Sequence, residues 1–534
     1  MKTPFPMTND QWQGGGGCEA PTPDGPCARN ETRTLVVWPR LHLSLRLRHS
    51  FVIRISSFVI PGLAMLLFAG CSFAPKYAKP SVQTPAAFKE LTPSQFNITD
   101  GWKTAVPGDN LIRGQWWEVF HDPELNGFES QVAGSNQSVA AALANFLASR
   151  AVVKQARSQY FPTVSANPSV INSRQPSLTT PTTSVTSTEY TLPIDASWEP
   201  DLWGRVRNTV KANSLEAQAA LADLGNVRLT VEAEVAVDYF ELRVSDVQKQ
   251  LLEASAVAYQ ESLKLTQVQE GHGLASGLDT DLAETQLEIT RAQATDLGIQ
   301  RAQLEHAIAM LLGQPASSFS ITTNLLAAGP VAVPLGVPSQ LLERRPDVAA
   351  AERRVGEANA QIGVARAAYY PTITLSGAVG YQSTSIKDLF SAPGLAWSVG
   401  STLAQTLFDG GLRRAVTEQA RSLYQGTVAN YRQTVLTAFQ EVEDNLSTLR
   451  ILSQELRQQN AAVAASEGYL RLATTRYQSG LDDYLNVLTA QTTLLSNQRT
   501  ALNLQMEQLT SSVQLIKALG GGWDDSQGVT GSGP

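Results

Sequence analysis

Between Val206 and Gln269 the chain runs 64 residues without a proline, and its one glycine, Gly225, interrupts no pattern. At 1.5 Å per residue such a helix is about 96 Å long. Helices of ordinary globular domains average about 11–12 residues. A chain carrying this stretch cannot be a standard compact domain, whatever its 534 residues would otherwise suggest. The final helix shows how such rods pack. Leu481, Leu485, Leu488, Thr492, Leu495, Arg499, Leu502, Met506, Leu509, Val513 and Ile516 alternate in steps of four and three, a heptad seam. A second seam, Val487, Ala490, Leu494, Asn497, Ala501, Leu504, Gln508, Ser511 and Leu515, runs beside it. Two adjacent seams require two neighbours. Helices that each touch a left and a right neighbour form a ring, and a ring of long helices encloses a tunnel.

The body of the chain is one unit written twice. Gln155-Ala-Arg-Ser-Gln-Tyr-Phe-Pro162-Thr is matched by Val364-Ala-Arg-Ala-Ala-Tyr-Tyr-Pro371-Thr. Trp203-Gly204 is matched by Gly410-Gly411, and Gly273 with Leu278 and Ala283 is matched by Gly480 with Leu485 and Ala490. The spacing holds near 207 residues at every landmark, which indicates duplicated halves rather than a solenoid of short repeats. Each half reads helix, two strands, long helix, tight tip, helix, with Pro162 and Pro371 ending the first helix. Tyr190, Leu192, Ile194, Ala196 and Trp198 share one strand face, opposite Thr191, Asp195, Ser197 and Glu199. Ile373, Leu375, Val379 and Tyr381 alternate with small residues in the same way, as do Trp397, Val399 and Leu403. This pattern fits a half-buried sheet as well as it fits a barrel with lipid outside and water inside. Four strands per chain are too few to close a membrane barrel, and open edges do not exist in lipid. Eight strands from two copies would be filled by side chains, whereas twelve from three copies leave a channel.

The front end reads as an address. Arg46, Arg48 and Arg54 precede a short apolar run from Phe58 to Cys71, which Pro61 and Gly62 break, so it is a signal peptide rather than a membrane span. Phe68-Ala-Gly-Cys71 resembles a bacterial lipobox, which implies cleavage before Cys71 and a lipid on its thiol; Ser72 after it implies export to the outer membrane. Residues 1–45 fit no signal n-region, which places the true start near residues 45–55. Cys18 and Cys27 then never reach the mature protein, and no disulfide framework remains. The expected organisation is a signal peptide with an N-terminal extension at 1–70, a lipidated extended segment at 71–115, structural repeats at 116–320 and 321–520, and a disordered tail at 521–534.

Composition excludes several function classes. A net charge of −7 with no basic block argues against nucleic-acid binding. His121, His272 and His306 are scattered without metal-ligand spacing, and no phosphate loop or nucleophile motif occurs, so no catalytic residue, metal or cofactor is expected. Glu441, Glu443 and Asp444 read as one solvated helix face rather than an acid/base pair.

Trp116-Trp-Glu-Val-Phe-His-Asp-Pro-Glu-Leu-Asn, Leu341-Leu-Glu-Arg-Arg-Pro-Asp-Val-Ala-Ala-Ala-Glu-Arg-Arg and Ala438-Phe-Gln-Glu-Val-Glu-Asp-Asn-Leu resemble the TolC-like outer membrane factors, nearest the OprM/NodT efflux lipoproteins. The likeness runs from Cys71 to about Gly520. It implies a mainly α fold with membrane β: a trimer with a long coiled-coil α-barrel and a shared twelve-stranded β-barrel. It further implies residence in the outer-membrane lipid, a periplasmic adaptor protein and an inner-membrane RND-type pump as partners. On this resemblance the tips at Gly273, Gly277 and Gly480 contact the adaptor, and Asp482 and Asp483 ring the closed aperture. One or both acids also fit a helix N-cap, and Arg476, one turn before the tip, is a candidate partner for them that spacing alone does not establish. Three readings stand at this point: a passive efflux duct for small toxic compounds, the same duct serving protein secretion, and a non-channel coiled-coil lipoprotein spanning the periplasm.

Overall fold

The computed structural model describes residues 73–82, 85, 88–90, 115–176, 184–324 and 345–521. The signal segment, Cys71 and the tail beyond Gly521 lie outside them. After a short 3-10 turn at Trp116–Phe120 come α1 (Pro123–Ser135), α2 (Gln137–Ser158), β1 (Thr163–Ala166), β2 (Ser169–Pro176), β3 (Ser184–Trp198), α3 (Arg205–Gly271) and α4 (Gly277–Leu311). The second half supplies α5 (Pro346–Ala367), β4 (Thr372–Ser383), β5 (Leu395–Ala404), α6 (Leu412–Gln478) and α7 (Tyr484–Ala518). The 64-residue stretch lies within α3, whose 67 residues make a rod of about 100 Å, and α6 has the same 67.

Five strands form one antiparallel sheet. Thr163 faces Ser197 and Pro176 faces Ser184 in one unbroken register, so β1 and β2 are a single strand interrupted at Asn167-Pro168, where proline cannot donate. Among the described residues the sheet is therefore four strands wide, as expected. Their order is β1/β2, β3, β4, β5, with the two halves joined at the β3–β4 pair. Ile194, Val379 and Trp397 stand directly across from one another on one face; Asp195, Ala378 and Ser398 do so on the other. Trp397 and Val399 are 74% and 81% exposed, because nothing among the described residues covers the apolar face. That exposure separates the two sheet readings in favour of an apolar-outside barrel wall.

The helices repeat the order of the strands. Beside the sheet α2 packs on α3, α3 on α5 and α5 on α6; towards the tips α4 packs on α3, α3 on α7 and α7 on α6. The two seams of the last helix thus meet two neighbours. Four columns result, because short helices stand end to end: α2 on α4, and α5 on α7. Asn136 makes the first joint. Its Oδ1 accepts from Val139 N at 3.0 Å as the N-cap of α2, and its Nδ2 donates to Leu311 O at 2.7 Å, a terminal carbonyl of α4. Arg345 makes the second, donating to Ala518 O at 3.1 Å while pairing with Asp347 and Glu441. Both joints supply a partner for a helix-end group that would otherwise be buried unpaired.

An extended strap from Phe73 lies along α5 and then α6. Phe73 stacks on Tyr370, which stacks on Trp203, at centroid distances of 4.2 and 5.1 Å. Asn359 donates to Pro75 O at 2.9 Å, Glu352 pairs with Lys79 at 3.0 Å, and Glu443 accepts from the backbone N–H groups of Lys89 and Glu90. The solvated-face reading of Glu441, Glu443 and Asp444 is corrected here. Glu443 anchors the strap and Glu441 braces Arg345, while the Asp444 carboxylate accepts from Gln440 on its own helix. At mid-length Trp116, Trp117, Phe120, Leu125, Tyr239 and Phe240 form the largest core cluster.

Asn136→Ala removes a cap and a buried donor together, and is expected to destabilise the assembly by about 1–3 kcal/mol. A thermal or denaturant midpoint equal to wild type would show that the joint bears no load.

Candidate functional site

The two hairpin tips close by the same backbone device. At the end of α3, Gly273 has φ +73°, its N–H donates to Glu270 O at 2.8 Å, and Leu274 N donates to Gln269 O at 2.8 Å. At the end of α6, Gly480 has φ +67°, with Gly480 N to Tyr477 O and Leu481 N to Arg476 O both at 2.9 Å. These are Schellman endings, and the left-handed residue is glycine because a Cβ would strain the backbone there. Each then exposes two leucines at matched positions: Leu274 and Leu278 in the first tip, Leu481 and Leu485 in the second.

The polar groups of the tips differ. Helix α4 opens with a reciprocal capping box, in which Ser276 Oγ accepts from Asp279 N and Asp279 accepts from Ser276 N at 3.0 Å. Gly277 follows directly, where a Cβ would come within 3.2 Å of Glu270 Oε1. Helix α7 opens without such a bond. Asp483 sits at its N-cap position but its side chain caps nothing, which corrects the capping expectation for that residue. Asp482 is not a cap either; it lies 2.6 Å from Arg476 Nε. The Arg476 guanidinium holds the Asp482 carboxyl below the usual carboxylate range, and Asp482 in turn raises Arg476. Asp483 has no ion-pair partner among the described residues.

The tips are fastened to each other. Tyr477 on α6 hydrogen-bonds Gln269 on α3 and meets Tyr484 edge-on at 5.5 Å. Tyr484 is 2% exposed, and burial pushes its hydroxyl up to about 12. Tyr259 donates to Gln491 O at 3.3 Å one level further up. Sequence periodicity had no means of finding the Tyr477–Gln269 and Tyr259–Gln491 links, which join residues more than 200 positions apart. His272 ends α3 as its C-cap. Among the described residues no group of three or more His, Cys, Asp and Glu is placed to hold a metal, and no helix is long and apolar enough to cross a membrane.

The model of the outer membrane efflux protein family matches residues 129–314 and again residues 337–521. The chain belongs to that family. It is 33% identical over 482 residues to the solvent efflux pump outer membrane protein SrpC of Pseudomonas putida, covering 88% of this chain and 99% of the relative. The cation efflux system protein CusC of Escherichia coli is 28% identical over 466 residues, 87% of this chain and 98% of the relative. Among solved structures, the outer-membrane channel OprN superposes with a TM-score of 0.78 at 29% identity, covering 85% of this chain and all of that one. The outer membrane protein VceC of Vibrio cholerae gives 0.71 at 28%, covering 77% and 99%. The fold is therefore the TolC-like one that the resemblance implies, and the protein is an outer-membrane component of an efflux pump. Members of the family are transport ducts rather than known enzymes.

Asp482 is held ionised by its pair, so the pair is complete above about pH 4 and is lost only as pH falls through the lowered value. Arg476→Ala is expected to return this carboxyl to the ordinary range. Single-channel conductance recorded between pH 3 and pH 6 should then show its acid transition at higher pH than wild type; superimposable profiles would separate this pair from conduction.

Proposed function

We propose that three copies of the chain close into one duct, through which small toxic compounds cross the outer membrane passively. The observation that carries this reading is the mirrored order of strands and helices. Among the described residues the sheet is open at β1/β2 and at β5, and the helical columns are open on the same two sides, at α2/α4 and at α6. One edge of one copy therefore meets the other edge of the next, a head-to-tail contact that closes into a ring. Three copies give twelve strands and satisfy every edge. The sheet face opposite the lipid carries Thr191, Ser197, Ser376, Ser398 and Thr402, with Asp195 and Glu189 as acids among them, so the lining is polar and only sparsely charged. A wall of that kind selects little, so the cargo is set by the pump that feeds the duct. Relatives named for solvents, toluene, antibiotics and cations support small toxic compounds over polypeptides.

Lipidation at Cys71 supplies the anchor in this reading. It accords with the strap, which begins at Phe73 beside the sheet end of α5, where Arg366 donates to Phe73 O. The exposed leucine pairs next to Gly273, Gly277 and Gly480 offer apolar contact to a periplasmic adaptor, which links the duct to an inner-membrane pump of the RND type. Asp482 and Asp483 stand at the aperture. With Asp482 engaged by Arg476, the three Asp483 carboxylates supply the net negative charge of that ring, which favours cations.

Single-particle imaging of the detergent-solubilised mature chain tests the assembly: a threefold hollow tube capped by a barrel is expected, and a solid rod would overturn it. Asp482→Ala combined with Asp483→Ala is expected to raise single-channel conductance, and an unchanged value would remove both residues from the aperture.

A further inference from the structure

Glu129 stands on α1, in the belt of helix that wraps α3 at mid-length. Its side chain is 1% exposed, and neither carboxyl oxygen receives a hydrogen bond. One turn earlier on the same helix, Asn126 Oδ1 is also buried without a donor. The charged groups that act on Glu129 are Glu232 and Arg228, both on α3. Glu232 is already supplied: Trp116 Nε1 donates to its Oε2 at 3.2 Å and Arg228 Nε to its Oε1 at 2.6 Å. Two carboxyl groups thus share one buried pocket, and all the identified donors go to one of them.

The other groups near α1 are committed elsewhere. Asp122 caps α1 and accepts from Tyr239, Glu124 pairs with Arg243, and Phe128 packs on Tyr239 and Phe319. Helix α2 and the turn at Trp116–Phe120 also touch α1, but no charge on either acts on Glu129.

A carboxylate stripped of water and of donors is strongly disfavoured against its neutral acid. We propose that Glu129 holds a proton at neutral pH and latches α1 to α3 only while that proton is bound. The neutral acid tolerates a buried site without donors, whereas the ionised form meets the like charge of Glu232 with no donor of its own. Burial pushes the Glu129 carboxyl well above its ordinary range, with Glu232 adding to the effect and Arg228 opposing it. The folded chain therefore keeps this proton to a higher pH than the unfolded chain. The proton's contribution to holding α1 down is complete below about pH 4.3 and declines as pH rises towards the raised value, where the proton itself leaves the folded chain. Because α1 runs directly into Asn136, release of α1 also loosens the joint that seats α2 on α4.

Hydrogen exchange of the intact assembly, corrected for intrinsic pH dependence, tests the latch. Between pH 6 and pH 9 the amides of residues 124–135 are expected to lose protection by about tenfold or more in wild type, and to stay protected in E129Q, whose neutral amide mimics the protonated acid. The infrared carbonyl band of protonated carboxylic acid at neutral pH should lose intensity in E129Q. Flat protection of wild-type α1 across that range overturns the proposal. So does a neutral-pH wild-type spectrum without a protonated-acid band, which needs no variant to fold.

Discussion

The backbone groups along two strand edges govern this molecule. The outer edge of β1/β2 and the outer edge of β5 each present N–H and C=O groups that no strand among the described residues pairs with. Beside an exposed face bearing Trp397 and Val399, those groups have no water to turn to once the sheet enters lipid. The apolar face and the open edges are therefore satisfied together or not at all. The same logic continues below the sheet, where α2 and α4 line one side and α6 the other. Leu143 and Leu147 on α2 and Leu412 and Leu423 on α6 stay exposed on the two sides, apolar surface that a neighbouring copy removes from water.

Length is the second constraint, and the chain meets it in two ways. Two of the four columns are single helices of 67 residues. The other two are assembled from a short helix standing on a longer one, where Asn136 and Arg345 tie the break. The positions correspond in the duplicated halves, yet the chemistry has diverged. One joint uses a neutral amide that caps and donates at once; the other uses a buried guanidinium held by two carboxylates. Each answers the same difficulty, a terminal carbonyl buried where another helix begins.

How much of this was legible in the sequence depended on range. Proline-free length, the heptad seams and the 207-residue spacing are local or periodic signals, and they gave the helices, the tips and the duplication. Strand alternation located β3, β4 and β5 but could not say whether their apolar face was covered, because that depends on what lies outside the chain. Asn136 before Gln137 looks like any N-cap; its second bond reaches a carbonyl 175 positions away. Glu443 looked like a solvated acid because the strap that it holds lies more than 350 residues earlier. Asp483 had the right type and position for a cap and still makes no capping bond, since residue type sets a preference and not a rotamer. Arg476 stands near the two acids in the sequence, but only the structure shows that it pairs with Asp482 and not with Asp483.

The two tips carry the same leucine pairs but different polar groups, a capping box in one and an arginine–aspartate pair in the other. In a ring of three chains they alternate around the rim. A partner that grips the leucines meets six nearly equivalent positions, spaced as if the ring had sixfold symmetry. A partner that reads the ion pairs meets only three. The rim thus offers two symmetries at once, and a docking protein's own copy number would reveal which set of groups it recognises.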